Sequence, residues 1–194
     1  SAIMSETLNV GQKIGTIRQQ KSIGIDELAE RSGLTAAMLD QIENREIIPS
    51  LGHLIKVARA LGVRLGTFLD DLESLGPVVS RKEEVKAGTS FSTQNSHSSE
   101  NLMFHSLAGD KSGRHMEPFI IDIQPVSPPY TGQSSHEGEE FIYVLSGKIE
   151  ITYGKANYKL AEGDSIYYDS VVDHHVHAAG DAPARILAVV YAPF

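Results

Sequence analysis

Two domains of different fold class are predicted: an all-α unit at the N-terminus and an all-β antiparallel barrel or jelly roll behind it. Three observations carry this. Apolar residues recur at helical spacing through the first 71 residues, as in Val10, Ile14 and Ile17 and again in Leu51, Leu54, Ile55, Ala58 and Leu61. In "KIEITY", residues 148–153, the period is two, with polar and apolar side chains alternating as in a half-buried strand. The charge divides along the same line: residues 1–71 carry eight Lys/Arg against nine Asp/Glu, and residues 72–194 carry nine against sixteen.

The elements follow in order. Residues 1–3 precede the first methionine, Met4, and read as an expression remnant. After the first helical stretch, Leu28 and Ala29 mark a second helix that stops at Gly33, where a tight turn is expected. Thr35 is a candidate N-cap, because its hydroxyl can accept from the free backbone donors of the next helix's first turn. Pro49-Ser50 precedes a fourth helix, which Gly62 ends. Gly76-Pro77 marks a linker, placed at 72–80 between a helical domain at 4–71 and a strand domain at 81–194. Residues 87–100, "AGTSFSTQNSHSSE", are half serine and threonine and read as a loop. Gly154-Lys155 supplies a hairpin turn from which "NYKL" runs back, Gly163-Asp164 turns into "SIYY", and "RILAVVYA" is a closing buried strand. Many short strands with glycine turns suit a barrel or jelly roll.

Composition narrows the function. With 194 residues, 41% hydrophobic and 22% charged, the chain has an ordinary globular profile and room for a core in each half. No apolar run approaches the roughly 20 residues that cross a bilayer, and no basic region precedes an apolar stretch near the N-terminus. A cytoplasmic protein without membrane contact is expected. The absence of cysteine excludes disulfides and thiolate metal sites. A net charge of −8 argues against a nucleic-acid binder taken whole, but the acidity belongs to the strand half.

The stretch "IDELAERSGLTAAMLDQIENREIIPSLGHLIKVARALGV" resembles the helix-turn-helix domain of the phage-repressor-like (XRE) transcriptional regulators, a lambda-repressor-like fold. Small Ala29, turn glycine Gly33 and apolar Leu34, Leu39 and Ile42 stand in the register that packs the second helix on the third. The resemblance implies that the helix from Thr35 to Glu43 enters the major groove of a double-stranded operator. Thr35, Ala36, Ala37, Asp40 and Gln41 would face outward, with Gln41 suited to adenine and the alanine methyls to thymine. Thr35, Asn44, Arg45 and Lys56 are the candidate phosphate contacts. Ile25 stands where the family often has glutamine, and Arg45 where glycine usually ends the recognition helix. The recognition helix has no Lys or Arg before Arg45 and Asp40 would repel phosphate, so a structural or dimerising helical unit that no longer binds DNA is the alternative.

"SHEGEEFIYVLSG" and "EGDSIYYDSVVDHHVH" resemble the two motifs of the cupin superfamily, a double-stranded β-helix barrel, in particular the small cupin appended to XRE-type regulators. His136, Glu140 and Gly147 keep the spacing of the first motif, with Ser134 in place of its first histidine. Gly163 and His174 keep that of the second, with Asp173 and Ala178 in place of its proline and asparagine. The resemblance implies His136, Glu140 and His174 as ligands of a divalent metal: iron, zinc, nickel or manganese. The alternative is a metal-free effector pocket, with Ser134 and Tyr143 as further lining. His175 and His177 alternate with Val176, are expected to face away from His174, and suit surface or supporting roles. Glu137 and Glu139 read as solvated, and His53, His97, His105 and His115 as structural or exposed.

Together these resemblances imply a sequence-specific DNA-binding regulator, a homodimer or higher homo-oligomer, whose cupin domain binds a small-molecule effector. The rival is a non-haem metal-dependent cupin oxygenase resembling the hydroxypropylphosphonic acid epoxidases, which share the domain order and the His, Glu, His ligand set. Leu102 and Phe104 stand near where those enzymes hold phosphonate with tyrosines. The acidic strand half also disfavours a dianion unless Lys111 and Arg114 compensate.

Overall fold

The computed structural model describes residues 9–69, 77–84, 89–91, 101–111, 113–126 and 133–193. Five helices open the chain. Helix α1 (Val10–Gln20) starts with a capping box, in which the Asn9 side chain accepts from the Gln12 N–H at 2.9 Å and the Gln12 side chain accepts from the Asn9 N–H at 3.2 Å. Helix α2 (Ile25–Ser32) ends at Gly33 in the left-handed region, φ +75°. Helix α3 (Ala36–Glu43) is capped by Thr35, whose hydroxyl accepts from the Met38 N–H at 3.1 Å, as expected. Helix α4 (Leu51–Leu61) ends at Gly62, also left-handed, and α5 (Gly66–Leu69) is a single turn. Ile14, Leu28, Leu39, Ile42, Leu54, Ile55 and Phe68 form their buried core.

Two contacts fix α3 against α1. A Cβ at Gly11 would lie 2.1 Å from the Ile42 carbonyl oxygen, so only glycine lets the helices approach this closely. Arg18 then clamps Glu43 with two hydrogen bonds, at 2.6 and 3.0 Å.

The C-terminal part is built from two antiparallel sheets. The larger takes β1 (Thr89–Phe91), β2 (Leu102–Ser106), β3 (Met116–Ile123), β4 (Glu139–Ser146), β7 (Ser165–Asp169) and β9 (Ala184–Tyr191) in the order β1-β2-β3-β9-β4-β7. The smaller takes β5 (Lys148–Tyr153), β6 (Ala156–Ala161) and β8 (His174–Ala178) in the order β6-β5-β8. Inward residues alternate with outward ones on every long strand, so Phe119, Ile121, Ile142, Ile186, Ala188 and Val190 meet Ile149 and Ile151 between the sheets. "KIEITY" is β5, the Gly154 turn (φ +58°) leads to β6, and "RILAVVY" is β9.

One expectation is corrected. Within the serine- and threonine-rich 87–100, residues Thr89–Phe91 form a strand beside β2, because the unpaired edge of β2 offers ladder partners that outweigh composition. The rest of that stretch, residues 87–88 and 92–100, lies outside the described residues. Gly76 also lies outside them; residues 77–81 are irregular and Lys82–Glu84 form one 3₁₀ turn.

Candidate functional site

The cupin site is assembled where β4, β8 and the segment before β4 converge. Glu140 points inward by strand alternation, with Ile142 and Val144 next along the same face. His136 is reached through Gly138, whose φ is +111° and whose missing Cβ would otherwise lie 1.9 Å from the Tyr191 carbonyl oxygen. Glycine at that point lets the chain pass against the end of β9 and aim both ligands into the barrel. His174 opens β8, held by paired backbone hydrogen bonds to Ser134 at 2.9 and 3.1 Å.

All three side chains are buried. His136 Nε2 and His174 Nε2 lie 2.7 and 3.3 Å from Glu140 Oε1. Each ring's Nδ1 contacts a main-chain carbonyl, His136 that of Glu137 at 3.0 Å and His174 that of Val172 at 2.8 Å. A carbonyl only accepts, so both Nδ1 atoms donate, and the two Nε2 atoms are the ones left to face the carboxylate. The donor atoms of the three lie within 4.8 Å of one another. This donor set fits a divalent first-row metal, with the carbonyls in the supporting positions that orient metal-binding histidines.

Electrostatics agree. Burial alone would raise the Glu140 carboxyl, but hydrogen bonds from His136 and His174 and their charge hold it well below the ordinary carboxylate range. Burial works against a charged His174, yet the hydrogen bond and charge of Glu140 raise it. Without a cation the carboxylate is thus balanced by a proton on the imidazole side.

Two further groups reach Glu140: Tyr168, a strand tyrosine expected first in the core and only second at the pocket, and Ser170, which sequence reasoning does not single out. The Tyr168 hydroxyl donates to Glu140 Oε2 at 2.5 Å, and Ser170 Oγ donates to Oε1 at 3.3 Å. Both are buried. The alternation of "SIYYD" does put Ile166 and Tyr168 on one face and Tyr167 on the other, but periodicity cannot say which face is inner. Tyr143, expected in the pocket, is corrected: it is 39% exposed on the outer face of β4, the opposite parity from Glu140. Ser134 does line the cavity. His175 and His177 share the face away from His174, with Nδ1 atoms 3.2 Å apart. His175 is nevertheless buried and lines the cavity, and burial, with the charge of His177 and His174, pushes it down to about 4.

The cavity has a volume of about 90 Å³. Its inner wall is apolar, including Leu102, Phe104, Ile121, Ile186 and Val190, and its polar end is the triad with Ser134. Ser50, Leu51 and Gly52 of the helical domain complete the lining. Among the described residues no Lys or Arg lines it. Arg114 instead pairs with Glu117 at 2.7 Å, both buried. Other expectations resolve locally. Glu137 pairs with Arg59 of α4, His105 with Asp122 at 3.0 Å, and His115 meets Arg64 at 3.0 Å. His53 caps α4 with Ser50 and is lowered to about 4 by burial and the charge of Lys56. His97 lies outside the described residues.

On the helical domain, Thr35, Ala37, Asp40, Gln41, Asn44, Arg45 and Lys56 are exposed and Ala36 is half-buried, while Leu39 and Ile42 point into the core. Arg45, where glycine was expected, adopts φ +66°. The backbone keeps the glycine conformation although the residue has changed.

A five-helix domain with an exposed third helix, joined to a two-sheet barrel holding a buried His, Glu, His cluster, defines a helix-turn-helix protein with a cupin domain. Residues 14–68 match the helix-turn-helix family and residues 120–190 the cupin domain family. The chain is 25% identical over 187 residues to the HTH-type transcriptional regulator PuuR of Escherichia coli (strain K12), covering 94% of this chain and 95% of that one. It is 26% identical over 167 residues to (S)-2-hydroxypropylphosphonic acid epoxidase of Streptomyces wedmorensis, covering 80% of each. A solved HTH_3 family transcriptional regulator from Vibrio cholerae shares the fold, with a TM-score of 0.67 at 22% identity over 95% of this chain and 96% of that one. The chain thus carries an XRE-type helix-turn-helix domain followed by a cupin domain, and it is similar along its length to HTH-type transcriptional regulators. No helix among the described residues is long and apolar enough to cross a membrane.

Proposed function

We propose that this chain binds a specific operator through α3 and that a small effector in the cupin cavity adjusts its affinity. One observation carries the reading: α3 buries Leu39 and Ile42 while leaving its opposite face open, and the Arg18–Glu43 clamp holds that face in place. Gln41 and the methyls of Ala36 and Ala37 would meet base edges; Thr35, Asn44, Arg45 and Lys56 would meet phosphates. Asp40 would keep the helix from settling on phosphate where no base contact compensates. The regulator would act as a homodimer or higher homo-oligomer, since two half-sites need two recognition helices. The outer face of the large sheet, with Phe141, Tyr143, Tyr167, Val189 and Tyr191, supports self-association.

His136, Glu140 and His174 would hold a divalent metal, iron, zinc, nickel or manganese, whose open positions would take a polar group of the effector. Tyr168 and Ser170 keep Glu140 oriented, His136 and His174 keep it ionised, and the two carbonyls fix the imidazoles. The test is selection of genomic fragments by the purified chain across a salt series. Enrichment of a common sequence supports the reading, and weak, sequence-indifferent binding at every salt concentration overturns it.

The likeness to the epoxidase supports a second reading, a metal-dependent oxygenase on the same triad. The apolar, cation-free cavity argues against a phosphonate substrate, because a dianion would lack a partner beyond the metal. Oxygen consumption by the iron(II)-loaded protein with a substrate would favour it; metal-free protein that still binds its operator would count against it.

A further inference from the structure

We propose that the first turn of α4, residues 50–52, is the roof of the cupin cavity, so that a single ligand touches both domains and the helical domain senses it directly. The effect on DNA rests on the regulator reading above; the roof rests on geometry alone. Ser50, Leu51 and Gly52 line the same cavity as His136, Glu140 and His174. Ser50 and Gly52 are buried although they begin a helix at the edge of their own domain. A Cβ built on Gly52 would stand 3.6 Å from His136 Cδ2 and 3.9 Å from Ser134 Oγ. Glycine therefore leaves the space above the triad open, and any longer side chain would enter it.

The rim is braced at two points. Arg59, further along α4, pairs with Glu137, the neighbour of His136. Arg64 donates to the carbonyls of Gly113 and Arg114 at 2.9 and 3.2 Å. Helix α4 also packs against α2 and α1, which carry α3. A cavity of about 90 Å³ holds roughly three water volumes. A ligand that presses on residues 50–52 would displace α4, and displacing α4 moves the recognition helix with it. That displacement gives the differential contact a switch requires.

The lining also selects the ligand. A divalent cation on two neutral imidazoles and one carboxylate leaves one net positive charge, and no Lys or Arg among the described residues adds to it. The match is a small molecule with an apolar body and a compact monoanionic head.

The full chain has no cysteine, so a new thiol reports unambiguously. In cobalt(II)-loaded Gly52→Cys a thiolate-to-cobalt charge-transfer band is expected, absent from the wild type and from Gly52→Ser. Cobalt ligand-field bands without that band would overturn the roof. A metal-independent arm uses Arg59→Cys with Glu137→Cys and a short bis-maleimide. Cross-linking at monomer mass is expected; none, or cross-linking only at dimer mass, overturns a roof within one chain. Butyrate is the ligand probe. It should shift the wild-type cobalt bands and bind Gly52→Leu at least tenfold more weakly. No shift in the wild type overturns the ligand class, and equal binding to both overturns the roof contact. Failure of these arms with operator binding intact sinks this proposal alone; loss of operator binding with the arms positive sinks only the regulator reading.

Discussion

Tyr168→Phe removes one oxygen from the site and nothing else of its shape. The ring stays beside His174 and Tyr153, with centroids 5.0 and 5.4 Å away, so packing is retained. What is lost is the 2.5 Å hydrogen bond to Glu140 Oε2, which lies in a buried site and keeps no other donor in reach of that oxygen among the contacts described. A hydrogen bond to a charged group contributes about 1.5–3 kcal/mol. Urea unfolding with a chelator present should therefore show the variant less stable by about 2 kcal/mol. Tyr168 also orients a metal ligand, and losing such support typically weakens metal affinity about 10–100-fold. A competition titration with a chromophoric chelator measures that directly. Unchanged stability and unchanged metal affinity would refute the view that Tyr168 holds an ionised Glu140. A loss well beyond about 4 kcal/mol would instead point to disrupted packing.

Three further outcomes follow from the same geometry. Gly11→Ala should destabilise the helical domain by about 1–3 kcal/mol despite alanine's better helix propensity, because the new Cβ meets the Ile42 carbonyl; thermal unfolding monitored by circular dichroism checks it. Arg45→Gly should have opposite effects on stability and binding. Relief of a left-handed non-glycine residue should stabilise by up to about 1 kcal/mol, while loss of a cation should weaken binding to the selected operator fragment in a gel-shift titration. Metal affinity should rise with pH across the range where His174 titrates. Glu140 raises His174, so the proton must leave before the metal binds, and affinity should fall roughly tenfold per pH unit for each proton displaced on the acid side.

The sequence was most informative where local chemistry decides structure. Thr35 as a cap, Gly33 and Gly62 as stops, and the alternation of residues 148–153 each need only neighbours a few positions away. The triad was legible through motif spacing, and the structure brings its three donors together. Long-range geometry was hidden. Gly11 is meaningful only because α3 crosses it, and Gly138 only because β9 ends there. Tyr168 reached the site while Tyr143 missed it, since strand parity relative to the core is settled by which sheet covers which face. The Arg18–Glu43 clamp and the Arg59–Glu137 pair join residues far apart in the chain, which no periodicity records. Strand β1 formed against composition because an open sheet edge was available.

The central claim is that this chain reads a DNA sequence. Its most direct test is the affinity of the selected genomic fragment against a scrambled duplex of equal length and composition, measured at one physiological salt concentration. A specific reader should prefer the selected fragment by a factor of about 10³ or more, and Gln41→Ala should reduce that preference by about 1–3 kcal/mol. Equal affinity for the two duplexes would contradict the account.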